Sequence, residues 1–402
     1  MPACSSLTGN ATADVCIVGG GIAGVTTAYL LAGTGLSVVL LESTSIGGGE
    51  TGRTTAHLAT ALDHLHSEVE RDVDASRLPF TAQSHGAAIS VIEGIVSRER
   101  IECAFERVDG YLFAPPPGKA DVLRRELDAA HRVGLTDVTL EARAPLLTYD
   151  TGPGLRFPRQ AQFHPLQYLA GLAQGVTNRG GRIYTGAHVV RVRGGPTPSV
   201  ETSDGYVVSS GAVVVATNSP VHENLLVHTK QAPYRTYVIG ASVPRGRIPR
   251  ALYWDTAEPF HYVRLHDEPG RPARGAGTEW LIVGGEDHRA GEQADGAQRF
   301  DALEAWARER FPIDEVEFRW SGQVMESVDG VGLIGRDRLD QPNVYMVTGD
   351  SGQGMTHGTI AGVLVTDLIA GCANAWSALY DPTRTPSLGA DFIRRGLDVS
   401  QS

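Results

Sequence analysis

The 402-residue sequence predicts a mixed fold, part α/β and part α+β, in which a parallel-sheet domain is interleaved with an antiparallel-sheet domain. Two observations predict the parallel sheet: the chain opens with a strand–helix–strand pattern over residues 14–42 and closes with a strand, a glycine-rich loop and a helix over residues 343–371. Between them lie segments rich in β-branched and aromatic residues, such as Gln231–Val243, which are typical of strands. We therefore expect a second domain inserted into the first.

The opening segment has the pattern of a Rossmann-like βαβ unit. Val15–Val18 is typical of a buried strand, Ile22–Ala32 predicts a helix that Gly33 breaks, and Ser37–Leu41 predicts a second strand. A G-x-G-x-x-G turn joins the first strand to the helix. Because the strands, helix and turn occur together, the pattern favours a dinucleotide site over a chance glycine turn.

Each glycine of the turn has a distinct physical task. Gly19 permits the tight turn, Gly21 lets the backbone approach a pyrophosphate, and Gly24 lets the helix pack close to the strand. Ile22 and Ala23 begin the helix, whose free N–H groups and positive dipole end would face the phosphates.

Acidic and polar residues follow the second strand. Glu42 stands at its end, where a carboxylate accepts hydrogen bonds from ribose hydroxyls and repels a 2′-phosphate. The loop over residues 46–60 could hold a second phosphate or a cofactor ring edge, since an Arg fork and hydroxyls suit both. An ordinary polar loop is the alternative. The candidate residues in this loop are Gly52, Arg53, Thr54 and Thr55.

Further elements follow in order. Residues 62–107 are predicted to be helical, and Asp121–Arg132 predicts an amphipathic helix. A helix begins at Pro165 and ends near Asn178. Ala212–Ala216 predicts a buried strand of the parallel sheet that ends at Thr217, beside the dinucleotide.

The later part of the chain predicts the second sheet and the return to the first. Arg299–Phe311 predicts a helix, and Asn343–Thr348 a last apolar strand before the closing glycine-rich loop. The predicted strands of the second sheet are Gln231–Val243, Leu252–Trp254, His261–Leu265 and Trp280–Gly284.

Composition limits the possible partners. The net charge of −11 argues against nucleic acid or an anionic membrane as a partner. The four cysteines lack C-x-x-C and C-x-H spacing, so we expect a reducing, cytoplasmic location without a Cys-based metal site. His64 and His66 are two residues apart in a predicted helix and point to different faces, which disfavours a metal site there.

Three motifs, taken together, resemble those of the D-amino-acid oxidase, glycine oxidase and sarcosine oxidase (DAO) family of FAD-dependent oxidoreductases. They are VGGGIAG at residues 18–24, DGVGLIG at 329–335 and TGDSGQGMTHG at 348–358. The stretches GGGETGRTTAHLAT, RFPRQAQFHPLQYLAGLA and RWSGQVMESVDG are similar to a bacterial, γ-glutamylputrescine oxidoreductase-like branch. The resemblance covers nearly the whole chain and implies FAD as cofactor.

Two departures from the family bear on where the electrons go. Members of this branch often carry a C-terminal Rieske iron–sulfur domain, but these 402 residues contain no C-x-H or C-x-x-H pair, so we expect none here. Sarcosine-oxidase-like enzymes place a Lys over the flavin to assist reaction with O2. The matching strand here, Leu281–Gly285, contains no Lys, so both O2 and an electron-acceptor protein stay open as acceptors.

The resemblance also implies roles for the motif residues. The glycine turn would hold the pyrophosphate, Glu42 the adenosine ribose, and Val189 the adenine through its backbone. A helix N-terminus beside the flavin N1 and C2=O edge would stabilise the negative charge that collects there. The residues expected at this edge are Gly352, Gly354, Met355, Thr356 and His357. His57 is a possible site of covalent FAD attachment, although non-covalent binding is the main expectation.

The second sheet is expected to supply the substrate pocket. Alternation along the strand places Tyr262 and Arg264 on one face, where they could bind a carboxylate, and His261 on the other. Core or surface packing is the alternative for each candidate. The pocket candidates are Tyr253, His261, Tyr262, Arg264, His288 and Trp320, and with His357 the catalytic candidates are His261, Tyr262, Arg264 and Trp320.

The expected domains are discontinuous. The FAD-binding domain comprises residues 1–80, 157–228 and 322–402, and the substrate domain comprises residues 81–156 and 229–321. The expected reaction removes a hydride from the carbon beside an amine nitrogen and leaves an imine. Alternatives are a larger biosynthetic amine as substrate, a flavin-binding protein without turnover, and a nicotinamide dehydrogenase. The oligomeric state is not predicted.

Overall fold

The computed structural model describes residues 4–114, 120–219, 230–267, 277–291, 295–337 and 341–385. The strands are β1 Ala11–Val18, β2 Val38–Leu41, β3 His57–Leu58, β4 Glu106–Phe113, β5 Thr139–Glu141, β6 Gly154–Gln162, β7 Arg182–Tyr184, β8 Val189–Arg193, β9 Ser199–Thr202, β10 Val207–Asn218, β11 Gln231–Pro244, β12 Leu252–Asp255, β13 His261–His266, β14 Thr278–Arg289, β15 Val316–Ser327, β16 Leu333–Arg336 and β17 Val344–Thr348. The helices are α1 Ile22–Gly33, α2 His66–Val69, α3 Pro79–Glu99, α4 Ala120–Arg132, α5 Pro165–Asn178, α6 Gly296–Arg310, α7 Gly354–Ala370 and α8 Ser377–Tyr380.

Sheet A contains the predicted parallel core. Its strand order is β16–β17–β10–β1–β2–β7, and all neighbours from β17 to β7 are parallel. Ile17 on β1 lies opposite Val214 on β10 and Leu40 on β2, and all three are fully buried. Continuous apolar strands of this kind form when both faces of a sheet are covered.

Different elements cover the two faces of sheet A. On one face α1, α3, α5 and α7 share a core with Ile17, Leu40 and Val214. On the other, Cys16, Val39 and neighbouring residues pack with the β8–β9 hairpin. The sheet is therefore the central layer of three, with its carboxyl-terminal edge left open.

Sheet B is mostly antiparallel. Its strand order is β15–β11–β14–β13–β12–β4–β6–β3, and β5 also pairs with β6. The pair β12–β4 is parallel. Helix α6 packs on one face, where Leu303 and Ala307 contact a core that contains Ile239 and Val283. The mixed fold predicted from the sequence is confirmed.

Details of the predicted elements differ from the structure. Residues 62–107 form two helices, α2 and α3, separated by turns, and β4 begins at Glu106. Helix α3 begins at Pro79, a position in the first helical turn where a proline is tolerated.

The chain also crosses between the sheets at other places than the predicted domain boundaries. The first predicted segment, 1–80, contributes β3 to sheet B, and β6 of sheet B runs past residue 157. Helix α3, assigned to the substrate domain, packs in the core beneath sheet A through Ile89 and Ile92. Residues 220–228 and 386–402 of the predicted segments lie outside the described residues.

Helices α1 and α7 cross at a glycine contact. A Cβ at Gly358 would lie 2.7 Å from Cγ2 of Ile22 and 3.0 Å from the backbone N of Ala23. Gly362 makes the same approach to Thr26, one turn further along. The missing side chains let both helix N-termini approach the same edge of sheet A. In the described part of the chain, every helix is too short or too polar to cross a membrane.

Candidate active site

A cavity of about 1700 Å³ lies between the sheets. Its lining includes the carboxyl ends of β1, β2, β10 and β17 of sheet A, and residues of β11, β13, β14 and β15 of sheet B. Ligands in open parallel sheets bind at this edge. The volume exceeds the roughly 300–1000 Å³ of an ordinary small-molecule site, so a cofactor and a substrate can share it.

The glycine turn between β1 and α1 forms one end of the cavity. Gly19 has φ +109°, and a Cβ there would overlap the Ala216 carbonyl. A Cβ at Gly24 would overlap the Gly19 carbonyl, so only glycine permits this contact of helix and strand. The N-cap, Gly21, makes no side-chain capping bond, which leaves backbone N–H groups for a ligand.

Two further side chains shape this end. Oε2 of Glu42 accepts a 2.7 Å hydrogen bond from the Gly20 N–H, and Oε1 accepts one of 2.8 Å from the Thr44 N–H. The hydroxyls of Ser43 and Thr44 also donate to Oε1, at 3.2 and 3.0 Å. The roughly four acceptor positions of the carboxylate are therefore in use, and a ribose hydroxyl would replace one of these two side-chain donors. The Ile22 N–H donates to Oγ1 of Thr51 at 3.0 Å. Sequence reasoning missed Thr51, because its partner lies 29 residues away.

The N-terminus of α7 forms another part of the cavity wall. Its N-cap, Gln353, makes no side-chain capping bond, and Gly352 has φ +82° with a Cβ position that Asp63 occupies. His357 is 4% exposed, and its Nε2 has no hydrogen-bond partner among the described residues. Burial and the Arg384 charge lower the pKa of His357 to about 3, so the imidazole is neutral at physiological pH.

Most predicted cofactor residues line the cavity. They are Gly19, Gly21, Ile22, Ala23, Glu42, Arg53, Thr54, Thr55, Val189, Thr217, Gly352, Gly354, Met355 and His357. Three others lie behind the wall. Gly24 packs on β1, Gly52 packs against Gly47, and Thr356 turns away to make a 2.7 Å hydrogen bond with Nδ1 of His85.

Tyr262 and His57 meet at the wall formed by sheet B. The Tyr262 hydroxyl is 2.9 Å from Oγ1 of Thr236, and burial raises its pKa. The His57 ring meets the Tyr262 ring edge-on, with 5.5 Å between centroids, and its Nδ1 is 3.1 Å from Oγ1 of Thr55. Burial and the nearby Arg264 charge lower the pKa of His57 to about 3. Both residues line the cavity.

Arg264 does not reach the cavity. Its side chain is 3% exposed, and its guanidinium donates to the carbonyl oxygens of Thr55 and Phe163. The predicted carboxylate clamp is therefore not assembled, because the fork that would bind a substrate carboxylate holds the backbone together instead. Trp320 also lies outside the lining, and its indole N–H donates to the Arg53 carbonyl at 2.8 Å.

His261 faces the opposite side of sheet B, as alternation predicted. Its ring stacks on Trp306 with 4.2 Å between centroids. Its two nitrogens are each 3.3 Å from a carboxylate, Nδ1 from Asp255 and Nε2 from Glu286. This arrangement anchors the loop after β12 rather than facing the cavity.

The two remaining pocket candidates also pack away from the cavity. Tyr253 stacks with Tyr111 and donates to the Pro249 carbonyl, and His288 stacks on Tyr237. Neither is part of the lining.

Three aspartates of the cavity wall were missed by sequence reasoning. Asp63 precedes α2, Asp287 lies on β14 and Asp350 follows β17. Burial raises the pKa of Asp63 to about 6 and those of Asp287 and Asp350 to about 7. No local pattern connects three residues so far apart in the chain, so only the fold could reveal them.

The geometry fits FAD. Two helix N-termini whose N-cap side chains make no capping bond border one cavity, together with a glycine turn that admits a pyrophosphate. Neutral His357, whose Nε2 has no partner among the described residues, borders it as well. Among the described residues no group of three or more Cys, His, Asp or Glu side chains could hold a metal ion. None of the four cysteines forms a disulfide within the described residues.

Comparison with known proteins gives a consistent result. Residues 14–368 match the DAO family, described as FAD dependent oxidoreductase. The chain is 26% identical over 401 residues to γ-glutamylputrescine oxidoreductase of Escherichia coli, covering 95% of this chain and 89% of that protein. It is 27% identical over 386 residues to the putative Rieske 2Fe-2S iron-sulfur protein YhfW of Bacillus subtilis, covering 96% and 74%.

Solved structures share the fold. Glycine oxidase from Geobacillus kaustophilus superposes with a TM-score of 0.77 at 19% identity, covering 94% of this chain and all of that one. An L-amino acid deaminase from Proteus vulgaris gives 0.74 at 19% identity, covering 95% and 96%. The expected cofactor, FAD, is confirmed, and the chain belongs to the DAO family of FAD-dependent oxidoreductases.

Proposed function

We propose that this protein oxidises the C–N bond of a small amine or amino acid to an imine. The observation that carries the proposal is the convergence of two helix N-termini, those of α1 and α7, on one cavity that sheet B closes. One N-terminus suits a pyrophosphate, and the other suits the charge that develops on a reduced ring. The similarity to γ-glutamylputrescine oxidoreductase supports an amine substrate.

The reaction balances as a two-electron oxidation. Bound FAD supplies the acceptor for a hydride. The substrate loses this hydride from carbon and a proton from nitrogen, so a C=N bond replaces the C–N bond. Water then splits the imine into a carbonyl compound and ammonia or a smaller amine.

Residues of this chain would bind the cofactor and bring the substrate amine into its neutral form. The glycine turn holds the pyrophosphate and Glu42 the ribose. The N-terminal N–H groups of α7 would stabilise negative charge on the reduced ring, and neutral His357 would support them. Leu62 and Phe260 are apolar members of the wall, and an amine brought out of water beside them loses its proton more readily.

The acceptor of the electrons is either O2 or a separate protein. The middle of β14, Leu281–Gly285, carries no Lys that would assist O2. A dehydrogenase that passes electrons to another protein is therefore the second candidate.

An anaerobic titration tests the proposal. The visible spectrum of the purified protein should show oxidised flavin, and one class of primary or secondary amines should bleach it without oxygen. Rapid return of the colour in air would identify an oxidase, and slow return a dehydrogenase. Bleaching only by a larger amine would change the substrate class. Flavin that no amine bleaches, or a protein that takes up no FAD, would overturn the proposal.

A further inference from the structure

The wall of the cavity is strongly acidic. Among the described residues that line it, Arg53 is the sole Lys or Arg, and it is paired with Glu50 at 3.0 Å. The carboxylates of the lining are Glu42, Glu50, Asp63, Glu68, Asp255, Glu258, Asp287, Glu326 and Asp350. An imbalance of this size attracts cations and repels anions from an enclosed site.

Some of these carboxylates have a structural role. Glu42 accepts backbone hydrogen bonds, and Glu50 accepts from Arg53 and from the Gln323 N–H. Asp255 accepts from the backbone and faces His261. The carboxylates of Glu42, Glu50 and Asp255 therefore already have partners within the fold and do not need a ligand.

Asp63 and Asp350 flank the turn before α7: a Cβ at Gly352 would overlap Oδ2 of Asp63, and one at Gly354 would lie 2.6 Å from Oδ2 of Asp350. Asp287 and Glu326 line the same cavity. After burial, mutual repulsion contributes to the raised pKa values: Asp63 and Glu326 raise that of Asp287, and Asp63 raises that of Asp350. Like charges gathered in one site keep their protons unless a cation joins them. His64, 3.7 Å from Glu326, is the nearby titratable base.

Two oxygens of this acidic group have no hydrogen-bond partner within the described residues, although Glu326 is paired with His64. Oδ1 of Asp287 and Oδ1 of Asp350 are buried and accept no hydrogen bond. Oδ1 of Asp63 accepts one, from Nε2 of Gln353 at 2.8 Å. Arg264, a buried cation behind the wall, donates to carbonyl oxygens instead. Buried carboxylate oxygens without partners are costly, so a ligand that supplies N–H donors and positive charge would relieve them.

We infer that the substrate carries a second positive charge, as in a diamine or longer polyamine, and that Asp287 with Asp63 and Asp350 binds the ammonium group that is not oxidised. This inference rests on the proposed amine oxidation and specifies its substrate class. A substrate with a free carboxylate finds no described guanidinium in the wall to receive it, since Arg53 is paired and Arg264 is behind the wall. The carboxylate clamp expected from the sequence is thus replaced by a cation site.

A binding measurement without turnover tests whether the site prefers a ligand with two positive charges. The probes are the doubly charged 1,4-diaminobutane and the singly charged butylamine, which both offer N–H donors. Reduction of the bound FAD with dithionite beforehand prevents their oxidation. Each is titrated into the FAD-loaded protein, and binding is followed by calorimetry and by the flavin spectrum. We expect the doubly charged probe to bind at least about tenfold more tightly. Equal affinities, or tighter binding of 4-aminobutanoate, would overturn the inference.

Variants locate the site of the second charge. Asp287→Asn should reduce the preference for the doubly charged probe about tenfold, and Asp63→Asn provides a second, independent replacement. Asp121→Asn is the matched control, because Asp121 is exposed on α4 and pairs with Arg124. FAD content and the circular dichroism spectrum show that each variant is folded. A preference that survives in both variants, or that Asp121→Asn also loses, would overturn the assignment.

The two proposals fail in different ways. If the doubly charged probe binds selectively but no amine bleaches the flavin, the oxidation is wrong and the cation site stands. If simple monoamines or amino acids bleach the flavin as well as diamines do, the oxidation stands and the cation site is wrong.

Discussion

Gly24 fixes how closely helix α1 approaches strand β1, because a Cβ there would overlap the Gly19 carbonyl. Gly24→Ala should therefore lower the free energy of unfolding by about 1–3 kcal/mol, through forced separation of helix and strand. FAD retention should fall with it, since the glycine turn would move. Urea unfolding and the flavin-to-protein absorbance ratio measure the two effects.

Gly33 offers a matched control within the same helix. A Cβ there would meet nothing closer than 4.0 Å. Gly33→Ala should leave the protein as stable or up to about 1 kcal/mol more stable, because alanine favours helix. Equal destabilisation by the two substitutions would contradict the role assigned to Gly24.

Glu126 gives a pH-dependent prediction. It is fully buried and accepts hydrogen bonds from the His66 and Ser67 N–H groups, at 3.0 and 2.9 Å. Burial nevertheless raises its pKa from 4.5 to about 7. A carboxyl whose pKa is raised by folding stabilises the protein below pH 4.5, and this stability is lost as the pH rises through 7.

Glu126→Gln removes this titration. The stability of the wild-type protein relative to the variant should decrease between about pH 4.5 and 7, as measured by urea unfolding across that range. A wild-type advantage that grows with pH would mean that the two backbone hydrogen bonds outweigh burial.

Sequence reasoning reaches furthest for residues that act through their own backbone. Gly19, Gly21 and Gly352 could be placed at the cavity because the glycine-rich turns that contain them have a local sequence pattern. The partners of Arg264 could not be predicted. Alternation along a strand tells which face of the sheet a side chain lies on, but not which carbonyl oxygens lie near that face. The aspartates Asp63, Asp287 and Asp350 come together only through long-range packing.

At the scale of elements, the crossing of α1 and α7 positions both helix N-termini. Gly358→Ala would place a Cβ 2.7 Å from Ile22 and 3.0 Å from the Ala23 backbone. We expect FAD affinity to fall about tenfold, because separating the helices misplaces N–H groups at two ends of the cavity. Titration of the apoprotein with FAD, followed by quenching of flavin fluorescence, measures this change.

Gly94→Ala in α3 is the control, since a Cβ there would have no atom within 4 Å. This variant should bind FAD as the wild type does. Weakened binding by both variants would point to general helix effects rather than to the crossing.

A buried ion pair ties the C-terminal described segment to the loop before β16. Arg384 donates to both oxygens of Asp329, at 2.8 and 2.7 Å, and its side chain and that of Asp329 are 7% and 2% exposed. Burial raises the pKa of Asp329, but the Arg384 charge and hydrogen bonds outweigh it and lower the pKa below 3.8. Its stabilising effect is therefore lost only as the pH falls below 3.8.

Arg384→Ala should lower the free energy of unfolding by about 3–5 kcal/mol, because it leaves the Asp329 charge buried and unpaired. Arg132→Ala, which breaks the exposed pair with Glu70, should cost less than about 1 kcal/mol. Thermal and urea unfolding provide the comparison. Similar losses in both variants would show that the Arg384 pair is not effectively buried.

Elements with strong local patterns were predictable. The strands of the opening βαβ unit and the helix over residues 120–132 lie within a few residues of their predicted limits. The helix limits within residues 62–107 were harder to predict. Apolar residues spaced by three and four continue across the turns that separate α2 from α3. The short strand β3 has no period to detect, and it exists because β6 pairs with it.

At the scale of the whole molecule, FAD would contact segments from both ends of the chain, so its binding should stabilise the entire fold. Free FAD at about a thousand times its dissociation constant should add about 4 kcal/mol to the free energy of unfolding. The melting temperature of the apoprotein should therefore rise with FAD concentration. Calorimetry at several concentrations measures the rise.

Riboflavin is the matched control ligand, because it lacks the pyrophosphate and ribose that the glycine turn and Glu42 would hold. It should raise the melting temperature much less at equal concentration. An equal effect would mean that the dinucleotide end of the cavity contributes little.

The interleaved architecture was foreseeable because both ends of the chain carry glycine-rich strand–helix patterns. The positions at which the chain crosses between the sheets were not. Strands β3 and β6 join sheet B through pairing partners far away in sequence, and α3 packs beneath sheet A through contacts that no window of sequence contains.

The distance along the chain between the two helix N-termini also sets the order of events during synthesis. About 330 residues separate Gly21 from Gln353. At roughly 5–20 residues per second, a ribosome needs roughly 15–70 s to make the second half of the cavity after the first. During that interval the glycine turn has no partner helix, and β1 waits for β10 and β17 to complete its sheet. The part of the nascent chain already made must therefore remain free of aggregation over this interval without a complete cavity for FAD.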